Sequence, residues 1–81
     1  PSTEVSEDAL RAGIPAFEIF CIAGLCKSNG EARRLIKGQG ARLNDQPVSD
    51  ETRAVTLDDL DASGAIKLSA GKKRHAMVRV G

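Results

Sequence analysis

Apolar residues in the first half of the chain recur at helical spacing. The i, i+3, i+4, i+7 pattern of one helix face is occupied by Phe17, Phe20, Cys21 and Gly24. Further apolar residues fall on the other sides of this segment, so the predicted helix is either buried nearly all round or docked against another domain. Pro15 suits its first turn, and Gly24 is well placed to end it. A shorter helix is predicted before it, capped by Ser6 and stopped by Gly13.

A second amphipathic helix is predicted to begin at Ser28. The spacing Ser28 to Glu31 forms a capping box, in which each side chain bonds the other residue's backbone N–H. The helix then has an apolar side, made by Ala32, Leu35 and Ile36, and a basic side, made by Arg33, Arg34 and Lys37. Glycines at 38 and 40 end it. The basic side is either a solvated surface or a surface offered to a polyanion.

The second half of the chain alternates between apolar and polar positions, which predicts strands. Residues 41–44 form a short strand that turns at Asn44-Asp45 and returns through Pro47-Val48, with Pro47 at a sheet edge. Two more strands, at 66–70 and 76–80, are joined by a turn at 71–73. The acidic segment 49–63 lacks a clear pattern, and its predicted core anchors are Val55, Leu57 and Leu60. The predicted fold class is α+β, with two principal helices packed on a small, mostly antiparallel sheet.

The charges of the chain are segregated along its sequence. Eighty-one residues allow one small domain, and the net charge is only +1. Residues 27–42 and 67–79 nevertheless hold five basic residues each, which is ten of the twelve in the chain. The acids lie mostly in residues 4–8 and 45–61. Such a local positive field attracts a polyanion whatever the net charge.

The residue types do not support an active site. The one histidine, His75, has no partner residues at metal-ligand spacing, and Cys26 is better interpreted as a packing thiol than as a nucleophile. Gly38-Gln39-Gly40 follows a helix instead of opening one, which is the wrong context for a phosphate loop. Two cysteines without a framework spacing indicate reduced thiols in a cytosolic protein. No apolar run reaches the ~18 residues of a membrane span.

Two kinds of binding remain open from the residues alone. The basic segments favour RNA or DNA, recognised by backbone shape and charge, because the two aromatic residues both belong to the apolar helix. The apolar helix equally favours a module that docks on a partner protein.

Several stretches of the sequence resemble a known family. Ala23-Gly24-Leu25-Cys26-Lys27-Ser28, the run 31–37 (EARRLIK), Gly40 and Leu43-Asn44 resemble the αL RNA-binding module, over about residues 13–81. That module is shared by a ribosomal small-subunit protein, pseudouridine synthases and bacterial tyrosyl-tRNA synthetases. The resemblance is greatest to the C-terminal domain of these synthetases, through residues 10–15 (LRAGIP) and 66–75 (IKLSAGKKRH).

The resemblance implies a partner and a site. It implies that residues 1–12 are a linker and short lead-in helix from the parent enzyme, and that residues 13–81 bind RNA. The implied RNA is tRNA(Tyr), held by its long variable arm and anticodon side for a catalytic domain of the same polypeptide. The implied RNA-binding residues are Lys27, Ser28, Arg33, Arg34, Lys37, Gln39, Lys72, Lys73, Arg74 and His75.

The resemblance also bears on the parent protein. ATP and tyrosine are expected to bind its catalytic domain, with no cofactor in this domain and no aminoacylation by the fragment itself. The parent is expected to be a cytoplasmic homodimer that does not contact a membrane. Two positions depart from the family: Asn44-Asp45 stands where Asn-Gly is usual, and Arg74-His75 stands where many relatives have an aromatic residue. An rRNA-modifying or ribosome-associated protein of the same module, and a protein-docking module, are the alternatives.

Overall fold

The computed structural model describes residues 2–71 and 73–81 of the chain. Its α-helices are α1 (Glu7–Ala12), α2 (Ala16–Ile22) and α3 (Asn29–Lys37), and a 3-10 turn spans Leu57–Asp59. Its strands are β1 (Ser2–Val5), β2 (Ile14–Pro15), β3 (Ala41–Leu43), β4 (Gln46–Pro47), β5 (Ala54–Val55), β6 (Ala65–Ala70) and β7 (Arg74–Val80).

Five of the strands form one mixed sheet in the order β1-β7-β6-β3-β4. The pairs β3–β4, β3–β6 and β6–β7 are antiparallel, whereas β1 runs parallel to β7. The short strands β2 and β5 pair separately, antiparallel to each other. The α+β class and the mostly antiparallel sheet predicted from the sequence are confirmed. Pro47 lies on the edge strand β4, where its missing N–H leaves the ladder intact.

Helix α2 is the centre of the hydrophobic core. Ala16, Ile19 and Phe20 are fully buried, and they belong to one cluster with residues of α3 and the inner face of the sheet. The backbone oxygen of Phe20 accepts hydrogen bonds from the N–H groups of Leu25 and Cys26, at 3.1 and 3.3 Å. Gly24 has a φ of 82°, the left-handed conformation expected of the residue that follows a helix end. The predicted end of this helix is therefore confirmed.

The first residues of the chain differ from the prediction. The sequence predicts a linker there, but Ser2–Val5 is a strand that pairs with β7 along its whole length. The following helix α1 does match the prediction, with Ser6 accepting a hydrogen bond from the Ala9 N–H and Gly13 at a φ of 96°. The strand forms because β7 has an unpaired edge with which the first residues can pair in parallel. It satisfies the backbone groups of β7 that would otherwise face solvent, which a pattern of side chains cannot reveal.

The turn at Asn44-Asp45 and the segment 49–63, whose sequence has no clear pattern, are held by specific polar contacts. Asn44 and Asp45 both have positive φ values, 52° and 69°, as a two-residue hairpin turn requires. The Asn44 side chain donates to the backbone oxygen of Asp59 at 2.6 Å and accepts from the Lys67 N–H at 3.0 Å. Of the predicted core anchors, Val55 is fully buried, and Leu57 and Leu60 are half-buried against the core.

Both cysteines are free thiols, as the sequence predicts. Burial raises the pKa of the Cys26 thiol, and it also raises the pKa of Cys21, which disfavours the thiolate form of both. Within residues 2–71 and 73–81, no helix has the length and apolar character needed to cross a bilayer. The same residues contain no group of three or more His, Cys, Asp or Glu side chains placed to hold a metal ion.

Candidate nucleic-acid interface

Helix α3 has the two-sided character that its sequence predicts. Ala32 and Ile36 are fully buried, and Leu35 is half-buried. The basic residues Arg33, Arg34 and Lys37 are exposed. Ser28 caps the helix, since its hydroxyl accepts a hydrogen bond from the Glu31 N–H at 3.2 Å. The reciprocal bond from the Ser28 N–H to the Glu31 carboxylate, which a full capping box would have, is absent from the described residues.

Replacing Ser28 with Ala is expected to lower the free energy of unfolding by about 1 kcal/mol, because one N–H of the first turn loses its acceptor. Chemical denaturation followed by circular dichroism measures this change. Ser49→Ala is a matched control, because Ser49 is exposed and lies outside any helix; its expected change is within about 0.5 kcal/mol. Equal stability of the two variants would contradict the capping role.

Two basic residues of α3, Arg33 and Lys37, form ion pairs with Glu51. The Arg33 Nε and Lys37 Nζ atoms lie 3.9 and 3.6 Å from the carboxylate oxygens of Glu51. The Arg33 guanidinium also lies over the ring of Phe17, 4.4 Å from its centroid. The Glu51 side chain is only 24% exposed, and its Oε2 atom is buried without a hydrogen bond. Arg33 and Lys37 therefore form ion pairs with a partly buried carboxylate, whereas Arg34 has no ion pair with any described side chain.

The fold brings the two basic segments of the sequence together. The Gly71 N–H, in the turn between β6 and β7, donates to the backbone oxygen of Gly40 at 2.8 Å. The Arg74 guanidinium donates to the backbone oxygen of Leu25, just before Lys27 and Ser28. The turn therefore lies beside both the start and the end of the segment that contains α3. We call the exposed residues Lys27, Ser28, Gln39, Lys73 and Arg74, which lie next to these contacts in sequence or take part in them, the hairpin-side basic surface.

The sheet contributes a further group of polar residues next to this surface. Arg42 pairs across the strands with Ser69, and Ser69 pairs with His75, so the three side chains lie in a row on the outer face of the sheet. Ser69 is buried, and its Oγ atom lies 3.0 Å from His75 Nδ1. A pocket of about 420 Å³ opens here. It is lined by Gln39, Gly40, Arg42, Asp45, Ser69, Gly71 and His75.

The predicted site residues are thus divided between two places. Gln39 and His75 line the pocket, and Arg74 contacts the loop before α3. Arg33 and Lys37 lie instead beside Glu51. Lys72 is a predicted site residue that lies outside the described residues. Arg42 was missed by the sequence analysis, although its position between the buried Ala41 and Leu43 places it on the opposite face of the strand.

The fold and this surface define a small α+β domain with two basic segments gathered around one hairpin. No family model matches the sequence. The chain is 51% identical to a tyrosine–tRNA ligase of Mesorhizobium japonicum over 79 residues, which are 98% of this chain and 19% of that protein. It is 49% identical to the tyrosine–tRNA ligase of Rickettsia massiliae (80 residues, 99% and 20%) and to that of Gluconobacter oxydans (79 residues, 98% and 19%).

The chain spans about a fifth of the length of these relatives. Across nearly its whole length it is similar to the C-terminal segment of tyrosine–tRNA ligases. This confirms the resemblance that the sequence motifs carry.

Proposed function

We propose that the chain is an RNA-binding domain of a tyrosine–tRNA ligase. It holds tRNA(Tyr) by its long variable arm and anticodon side, and a catalytic domain of the same polypeptide attaches tyrosine to that tRNA using ATP. We propose further that its three helices and mixed sheet are the αL RNA-binding fold. The relationship to tyrosine–tRNA ligases supports this proposal, because tRNA is the macromolecule on which an enzyme of that name acts.

The observation that carries the proposal is the contact between the two basic segments. The hydrogen bond from the Gly71 N–H to the Gly40 oxygen joins the β6–β7 turn to the end of α3. It places the turn that precedes Lys73 and Arg74 next to Gly40, one residue after Gln39. RNA phosphates are bound by Lys and Arg side chains and by exposed backbone N–H groups at helix N-termini, and the segment from Lys27 to α3 offers both kinds of donor.

The rest of the proposed enzyme supplies the chemistry. ATP and tyrosine bind its catalytic domain, and the domain described here contributes cations, not a reacting group. We propose that the enzyme is a cytoplasmic homodimer, which follows from the resemblance to bacterial tyrosyl-tRNA synthetases.

The alternative, a module that docks on a partner protein through its apolar helix, is weakened by the burial of that helix in this chain's core. Ala16, Ile19 and Phe20, the residues that make α2 so apolar, are packed inside this chain. In the described residues, the exposed large hydrophobic side chains are Ile22 and Val80, at 40% and 37% exposure. The apolar character of the helix is therefore explained by this chain's own core.

An NMR titration tests the proposal. The isotope-labelled chain is titrated with tRNA(Tyr) and, as a control, with a tRNA that lacks the long variable arm. Shifts that include residues 27–40 and 71–75, and are seen only with tRNA(Tyr), are the expected result. Equal shifts with both RNAs would favour a ribosome-associated or rRNA-modifying relative. No salt-dependent shift with either RNA would overturn the RNA-binding function and favour protein docking.

Removing the charge of Glu51 is expected to strengthen RNA binding. Its carboxylate competes with phosphate for Arg33 and Lys37, so Glu51→Gln should raise the affinity for tRNA(Tyr) by roughly two- to fivefold, the range that a partly exposed ion pair can supply. Fluorescence anisotropy at a fixed salt concentration measures the change. Asp58→Asn is the matched control, because it removes the same charge from an exposed residue with no ion pair among the described side chains. An equal gain in both variants would contradict direct competition.

A further inference from the structure

The pocket on the outer face of the sheet is not explained by charge alone. It lies beside the hairpin-side basic surface and is lined by Gln39, Arg42, Asp45, Ser69 and His75 among others. At about 420 Å³ it falls within the ~300–1,000 Å³ typical of pockets that hold small molecules. The phosphate-binding role of the neighbouring surface would not require such a cavity.

The donors and acceptors of the pocket do not match a phosphate group. A phosphate offers acceptor oxygens and a negative charge, so its site needs donors and positive charge. Arg42 is such a donor, but the Asp45 carboxylate stands on the same wall. Lys67 Nζ lies 3.2 Å from Asp45 Oδ1 and neutralises part of its charge, yet the oxygen atoms remain acceptors. The Gln39 side-chain amide offers one acceptor and two donors.

The edge of a nucleobase does match this mixture. Each base presents donors and acceptors side by side, and unstacked bases of single-stranded RNA are held by hydrogen bonds to those edges. They are also stacked on aromatic rings, including histidine, or on arginine planes. The pocket contains one aromatic ring, that of His75, and one arginine, Arg42. They lie on either side of Ser69 in the row across the sheet.

The His75 ring is held in place for such a contact. Its Nδ1 atom lies 3.0 Å from the Oγ of Ser69, which is only 4% exposed and belongs to the central strand β6. The other ring nitrogen and the ring faces remain available, because His75 itself is exposed. Gly40 and Gly71 line the same pocket without side chains, so a flat ligand can approach the backbone closely.

We propose that this pocket takes one unstacked nucleobase of the bound RNA, held between the His75 ring and Arg42, while the neighbouring cations hold the backbone phosphates. This inference rests on the proposed RNA-binding function and deepens it. Arg42, Ser69 and Asp45 become parts of the binding site, although none of them belongs to the residues predicted from the family pattern.

The test compares two neutral replacements of one exposed residue. His75→Phe keeps a ring for stacking, and His75→Ala removes it. Affinity for tRNA(Tyr) is measured for both over a series of salt concentrations. We expect the Phe variant to bind about tenfold tighter than the Ala variant, the effect of one base–aromatic stack, with the same slope of log affinity against log salt. Equal affinities of the Phe and Ala variants would overturn the base-binding pocket.

Two further variants separate a base from a phosphate. Lys73→Gln, at a predicted phosphate contact, should reduce the slope of log affinity against log salt by about 0.7–0.9. The slopes of the two His75 variants should be equal to each other. Asp45→Asn should raise affinity no more than Asp58→Asn does. A much larger gain for Asp45→Asn would indicate a phosphate in the pocket and would overturn the inference. If the unmodified chain shows no salt-dependent binding of tRNA(Tyr), the proposed function itself fails, which is a separate result.

Discussion

We expect charge reversal at Arg33 and Arg34 together to lower the affinity of the chain for tRNA(Tyr) by at least about tenfold and to leave the chain folded. Each lost charged hydrogen bond to a phosphate removes roughly 1.5–3 kcal/mol of binding free energy. Both side chains are exposed, on the opposite side of α3 from Ala32 and Ile36, so these two buried side chains keep their contacts. Fluorescence anisotropy at low and moderate salt measures the affinity, and circular dichroism reports the fold.

The single variant Arg34→Glu gives the cleaner form of this experiment. Arg33 is stacked on Phe17 and lies near Glu51, so its reversal also places two carboxylates side by side. Arg34 has neither contact among the described residues. Arg11→Glu is the matched control, because it reverses the charge of an exposed arginine whose ion pairs, among the described residues, are with Glu7 and Asp8 on α1. If Arg34→Glu binds as tightly as Arg11→Glu at both salt concentrations, α3 is not the RNA-binding helix.

Replacing Phe20 with Ala has the largest expected effect on stability. Phe20 is fully buried at the centre of the core, and removing a buried aromatic ring lowers the free energy of unfolding by about 3–5 kcal/mol. A domain of this size has a total stability of only about 4–12 kcal/mol, so the variant should be unfolded in part or in full near 37 °C. Thermal unfolding followed by circular dichroism should show a melting temperature lowered by well over 10 °C.

The control for Phe20 lies on the same helix. Ile22 is 40% exposed, and Ile22→Ala removes an apolar side chain that contributes little to the core. We expect a change within about 1 kcal/mol for this variant. If Ile22→Ala were as damaging as Phe20→Ala, the orientation of α2 described above would be wrong.

Local patterns in the sequence were sufficient to predict most of the fold. The two-sided helix α3 follows from its capping serine and its helical spacing, and the strands β6 and β7 follow from alternation of apolar and polar residues. The turn at Asn44-Asp45 follows from residue types that tolerate positive φ. Each of these signals lies within a few neighbouring residues, so no long-range information was needed.

The features that were not predicted depend on contacts between distant parts of the chain. Strand β1 exists because β7 offers it a free edge, and nothing in Ser2-Thr3-Glu4-Val5 alone distinguishes it from a linker. The contact of Arg33 and Lys37 with Glu51 joins residues that are far apart in sequence. The pocket likewise requires Arg42, Ser69 and His75 to be in register on three strands. The spacing of residues within one strand does not show which residues they face on the neighbouring strand.

Asn44 has a second consequence for the chain, beyond the turn in which it lies. Glycine would adopt its positive φ with less strain, but glycine has no amide to reach Asp59 and Lys67. The Asn44 side chain therefore links the acidic segment to the sheet by two hydrogen bonds. With glycine at this position the hairpin would still close, but the hydrogen bonds from residue 44 to Asp59 and Lys67 would be lost. The residue that begins the turn therefore also ties the most irregular part of the domain to the sheet.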